Sequence, residues 1–133
     1  MKVKARLKNY RSSARKVREV SPIIKGLSVK EALWQLENLK KGCAEDLRKL
    51  LLSAIANATN NHAFEKENLF VSELVVQEGR VLKRWRPRAH GRATPILKRS
   101  CHVILTIETS EEVEREKQGT EKKRDEKKKE EKK

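Results

Sequence analysis

A chain of 133 residues is expected to form one domain, and a net charge of +14 with a pI near 10 points to nucleic acid or an anionic membrane as its partner. Apolar residues make up 36% and aromatics 4%, so the core is small, and no apolar run is long enough to span a bilayer. Cys43 and Cys101 have no CxxC spacing, which argues against a disulfide scaffold or metal knuckle and for reduced thiols in a cytosolic protein. The basic N-terminus lacks the following apolar segment of a signal peptide.

Met1 to Tyr10 alternates, with Val3, Ala5 and Leu7 on one face and Lys2, Lys4, Arg6 and Lys8 on the other, which predicts a half-buried strand. Lys2 and Lys4 fit the solubilising role of an edge strand. Ser12 or Ser13 can cap a first helix, on which Arg11, Arg15 and Arg18 share a face. Ser21-Pro22 then either restarts the helix or kinks it, and Gly26 ends it. Ser28 and Glu31 form a capping box for a second helix with Ala32, Leu33, Leu36 and Leu39 at helical spacing, closed by Gly42. Ala44, Leu47, Leu50, Leu51, Ala54, Ile55 and Ala58 make the apolar stripe of a third helix, stopped at Asn60-Asn61. Glu45 and Asp46 fall in its first turn, where the helix dipole favours acids. Small Ala54, Ala56 and Ala58 would allow close approach of a neighbour, so this helix is the expected centre of the core. Trp34 is expected in the core or packed on the surface of the middle helix.

Leu69 to Val76 reads as a strand, followed by a turn or bulge at Glu78-Gly79. From Gly79 to Ile107 the chain then holds eight bases (Arg80, Lys83, Arg84, Arg86, Arg88, Arg92, Lys98 and Arg99) and no acid. Strand-type residues flank Pro87-Arg88-Ala89-His90-Gly91-Arg92-Ala93, and Gly91 tolerates the positive φ of a reversal. The reading is a β-ribbon over about 79–102, with arms of about 10 residues and roughly 30 Å long. An isolated hairpin is marginally stable in water. One that also repels itself is expected to be ordered by a polyanion, whose phosphates release counterions when Arg and Lys neutralise them. His102 to Thr109 returns to the body sheet.

The expected fold is α+β: a small antiparallel three-stranded sheet packed against three helices over residues 1–109, with a long protruding β-hairpin. A charged tail at 110–133, with ten bases and nine acids, is expected to be disordered or fluctuating. Residues 1–18 form a second acid-free segment with eight bases. Arg6, Lys8, Arg11, Arg15, Lys16 and Arg18 from this segment, together with the ribbon bases, are the candidate nucleic-acid contacts. Trp85 either stacks on a base or sugar or packs across the ribbon.

His62, His90 and His102 lack metal-site spacing, no nucleophile stands in a catalytic motif, and no glycine-rich phosphate loop is present. Neither an enzyme nor a cofactor is therefore expected. A DNA-bending architectural ribbon is the alternative, with Pro87 and Pro95 flanking its tip. A membrane-surface role would need a longer basic amphipathic helix than this chain provides.

Ser53-Ala54-Ile55-Ala56-Asn57-Ala58, Leu82-Lys83-Arg84, Pro87-Arg88-Ala89-His90-Gly91-Arg92-Ala93 and Ile96-Leu97-Lys98-Arg99-Ser100-Cys101-His102-Val103 resemble the bacterial family of large-subunit ribosomal proteins numbered twenty-two. Ser13-Ala14-Arg15-Lys16-Val17-Arg18 is similar to that family's first-helix motif, and the likeness covers residues 1–109. The resemblance implies a non-enzymatic cytoplasmic ribosome component that binds large-subunit RNA of the 23S type, contacts neighbouring ribosomal proteins and supports assembly. It further implies a hairpin that lines the polypeptide exit tunnel. Trp85, Arg86, Pro87, Arg88, Ala89, His90, Gly91, Arg92 and Ala93 would then form the tunnel-lining tip beside the nascent chain. Ser21-Pro22 and the 24-residue tail depart from the family pattern.

Overall fold

A computed structural model describes residues 2–109, and the expectation for the tail at 110–133 lies outside them. The strands are β1 (Val3–Tyr10), β2 (Leu69–Glu78), β3 (Leu82–Pro87), β4 (Ala93–Lys98) and β5 (Cys101–Thr109). The helices are α1 (Ala14–Arg18), α2 (Ser21–Ile24), α3 (Val29–Asn38) and α4 (Ala44–His62). The body sheet is antiparallel in the order β1-β5-β2, and β3 pairs with β4 in a separate two-stranded sheet. The expected α+β fold is therefore present.

The alternation read in β1 is seen directly: Val3 and Ala5 are buried, while Lys4, Arg6 and Lys8 are exposed. As an edge strand it needs only one apolar face. Strand β5 is central. Its Cys101, Val103, Leu105 and Ile107 are buried on the side that alternates with His102 and Ile104.

Helix α4 is the centre of the core, with Leu47, Leu51, Ala54 and Ala58 at most 1% exposed. Each fully buried Leu contributes about 1.5–3 kcal/mol relative to exposure. Ala54 and Ala58 permit the expected close approach, whereas Ala56 faces solvent.

Two helix ends differ from the sequence reading, and one open alternative is resolved. The first helical region is two short pieces. Pro22 lies at the start of α2, where its missing N–H costs nothing, so the chain restarts there instead of kinking. Helix α3 ends at Asn38, whose Nδ2 donates to the Trp34 carbonyl at 2.9 Å, so Gly42 lies beyond it in the turn before α4. Helix α4 runs through Asn60 and Asn61 to His62. It ends at Ala63, which takes a left-handed φ of 53°, and Phe64 N–H donates back to the Ala58 carbonyl at 3.2 Å. Phe64 packs against the core and stacks on His62, with ring centroids 5.7 Å apart. This apolar contact beyond the last turn stops the helix where a glycine commonly would. Trp34 is 62% exposed, so it is not a core residue.

Candidate nucleic-acid interface

The ribbon grows out of the β2–β5 hairpin. Glu78 pairs with Cys101, Gly79 N–H donates to the Ser100 carbonyl at 2.9 Å, and there the regular ladder stops. The Ser100 hydroxyl then donates to the Arg80 carbonyl at 2.7 Å. Beyond this joint β3 and β4 pair without a register shift, from Leu82 with Lys98 to Pro87 with Ala93. The isolated arms are thus six residues each, roughly 20 Å, and not the 10 expected from the sequence. The other residues of the long hairpin, His102 included, belong to the body sheet.

At the tip, Arg88 N–H donates to the Arg92 carbonyl at 2.8 Å and closes the loop. Gly91 has the anticipated positive φ, 65°, and His90 has one as well, 57°. With ψ at 35° His90 lies in the left-handed region, which histidine enters more readily than most residues other than glycine. Nothing in the residue pattern marked His90 for that role.

All six residues of β3 are exposed, as are five of the six in β4. The tip from Arg88 to Arg92 is exposed throughout. Among the described residues the ion pairs lie in the body, including Lys2 with Glu108, Lys30 with Glu67, Lys41 with Glu19 and Lys49 with Glu45. No carboxylate stands within the ribbon to neutralise Arg80, Lys83, Arg84, Arg86, Arg88, Arg92, Lys98 or Arg99. Arg84 Nη1 donates to the neighbouring Lys83 carbonyl at 2.8 Å.

The two acid-free segments, far apart in sequence, meet at the ribbon root. Arg11 Nη1 lies 3.5 Å from the Arg99 carbonyl. A cleft of about 360 Å³ separates the start of α1 from the root, with Arg15 and Arg99 in its wall beside Glu78. Arg6 and Lys8 extend the positive surface along β1, and Arg15 and Lys16 are exposed on α1. Lys41 also joins this region, lining a second cleft with Arg11 and Lys16, although its ammonium is 3.0 Å from Glu19. Only the fold brings Lys41 there.

Arg18 has a different local task. Its Nε and Nη2 donate to the Val76 carbonyl at 3.2 and 3.0 Å, and the Ser21 hydroxyl donates to the Leu74 carbonyl at 2.9 Å. These bonds fasten the α1–α2 segment to the edge of β2. Cys43 and Cys101 are free, buried thiols whose pKa values are raised, first of all by burial. Burial, then a hydrogen bond to Asp46, pushes the Tyr10 phenol above its ordinary value.

The family model for ribosomal protein L22p/L17e matches residues 5–108. The large ribosomal subunit protein uL22 of Mycoplasma capricolum is 48% identical over 107 residues, covering 80% of this chain and 96% of that protein. Its namesake from Mesoplasma florum is 52% identical over the same length and coverage. The one from Mesomycoplasma hyopneumoniae is 44% identical over 120 residues, 88% of this chain and 59% of that protein.

Proposed function

This chain belongs to the ribosomal protein L22p/L17e family, and from that premise we propose that it binds folded large-subunit ribosomal RNA through the β3–β4 ribbon and the basic surface at its root. As a member it is a structural constituent of the large ribosomal subunit, a non-enzymatic class, with ribosomal RNA and other ribosomal proteins around it. The observation that carries the RNA reading is an exposed ribbon whose eight bases have no acid among them. A lone hairpin is marginally stable, and self-repulsion weakens it further. Phosphates remove that repulsion and supply the salt-dependent affinity of counterion release.

Most contacts are to the backbone and position the protein without reading sequence. The ribbon interface comprises Arg80, Lys83, Arg84, Arg86, Arg88, Arg92, Lys98 and Arg99. Arg6, Lys8, Arg11, Arg15 and Lys16 extend it over the body, with Arg18 contributing at its margin because Val76 already holds one edge of its guanidinium. The tip from Trp85 to Ala93 lines the exit tunnel beside the nascent polypeptide, and binding through the ribbon supports assembly.

The purified chain should bind a bacterial large-subunit RNA transcript across a salt series with a steep log–log slope and in preference to a DNA duplex. Equal affinity for both, with the duplex bent, would instead support a DNA-architectural role. Arg88→Glu with Arg92→Glu should leave the body folded and reduce incorporation into large subunits. Normal assembly of that variant would overturn the assignment of the ribbon.

A further inference from the structure

The register of the ribbon gives it two unlike faces. Lys83 opposes Leu97, Trp85 opposes Pro95, and Pro87 opposes Ala93. Residues opposed in an antiparallel pair share a face, and successive residues alternate between faces. One face is thus Trp85, Pro87, Ala93, Pro95 and Leu97 around the single base Lys83. The other carries Arg84, Arg86 and Lys98 among Leu82, Thr94 and Ile96. Trp85 is 68% exposed and Leu97 46%. Cross-strand packing on Pro95 therefore covers little of the indole, and among the described residues nothing covers this apolar face.

Resting on the RNA-binding reading above, we propose that the Trp85 face is a stacking platform for an unpaired nucleobase of large-subunit RNA, while the Arg84–Arg86–Lys98 face takes phosphates. Trp85, paired with Pro95, stands at the body end of the tip, where in the RNA-binding reading a ribbon embedded in RNA offers both faces to it. The basic face matches the backbone by charge. The opposite face has one ammonium and a broad apolar surface, and the flat apolar part of RNA is the base. Unpaired bases stack on exposed aromatic side chains, and such stacking carries no counterion release. The two faces therefore contribute in physically separable ways.

The test is a salt series on naked large-subunit RNA transcript with the full chain. Trp85→Leu keeps the apolar face but removes the planar ring, and it should weaken binding about tenfold with an unchanged salt slope. Trp85→Phe should retain most of the affinity. Arg84→Gln with Arg86→Gln should instead flatten the slope by roughly 0.7–0.9 for each phosphate lost. In a Trp34→Phe background Trp85 is the remaining tryptophan, and its fluorescence should be quenched by the RNA. Wild-type affinity in Trp85→Leu, or Trp85 fluorescence indifferent to RNA, overturns the platform. If Trp85→Leu fails only in assembled subunits, the face serves a protein and the proposal falls. Absence of RNA preference in the wild-type chain would instead remove the RNA-binding reading itself, so the two failures are distinguishable.

Discussion

At Gly79 an added Cβ would stand 2.8 Å from the Ser100 hydroxyl oxygen and 3.3 Å from the Ser100 carbonyl carbon. The hydroxyl can rotate away, but only by giving up its bond to the Arg80 carbonyl, and the backbone carbon cannot. Gly79→Ala should therefore cost about 1 kcal/mol in urea unfolding and speed amide exchange at the ribbon root. An unchanged midpoint would mean the joint is looser than its contacts indicate. Glu108 makes a second local case. It is 1% exposed, and burial alone would raise its pKa, but the Ser72 hydroxyl and Lys2, whose ammonium is 3.1 Å away, outweigh burial and hold its carboxyl below its ordinary 4.5. In that acid range the unfolded chain binds the proton that the native chain refuses. The stability contributed by Glu108 is present above the unfolded pKa and lost as pH falls through the folded one. Glu108→Gln should be less stable at pH 6 and should lose stability less steeply on acidification below about pH 4.5. Parallel stability–pH curves for variant and wild type would contradict this. Sequence made the basic ribbon and Gly91 visible, because charge and composition are local properties. It marked Gly79 as part of a turn or bulge but could not expose the approach of Ser100 to it, nor the roles of Glu108 and His90, which depend on what another strand or turn brings beside them.

Helix α1 is too short, at five residues, to be held by its own hydrogen bonds. Buried Ala14 and Val17 hold it from beneath, and the Arg18 bonds to Val76 hold it from the side. Arg18→Gln should cost about 1 kcal/mol of stability while changing the RNA salt slope less than Arg15→Gln does. Thermal melts beside binding isotherms check both parts, and a stability-neutral Arg18→Gln with a flattened slope would reverse the assignment. Helix starts were easier to read than helix ends. The Ser28–Glu31 capping box is written in four consecutive residues and is present as read, with Ser28 Oγ accepting from Glu31 N–H at 3.3 Å. The ends of α3 at Asn38 and α4 at His62 do not follow from the residue types of Gly42, Asn60 and Asn61. The actual stops are an Asn38 side-chain bond and the packing of Phe64 on the core, and the second requires the tertiary fold.

The molecule as a whole divides into a packed body and an arm that shares a strand path with it. In the body, β5 is paired on both sides and α4 lies on the core. In the arm, each residue of β3 and β4 has one strand partner, and eleven of the twelve residues are exposed. Local opening free energy follows buried contacts, so the two parts should differ in stability although they form one continuous hairpin. Amides of β5 should exchange near the global unfolding limit, while those of β3 and β4 should exchange far faster in the free protein. Raising salt should slow arm exchange modestly by screening its self-repulsion, and large-subunit RNA should slow it much more at low salt than at high salt. Hydrogen exchange read by mass spectrometry on peptides from 82–98 against peptides from 101–109 measures this directly. Equal protection of the two regions in the free chain would mean that β3–β4 pairing is self-sufficient. Electrostatic repulsion would then be too small to make the ribbon depend on RNA for its order, and the body–arm division would be one of shape alone.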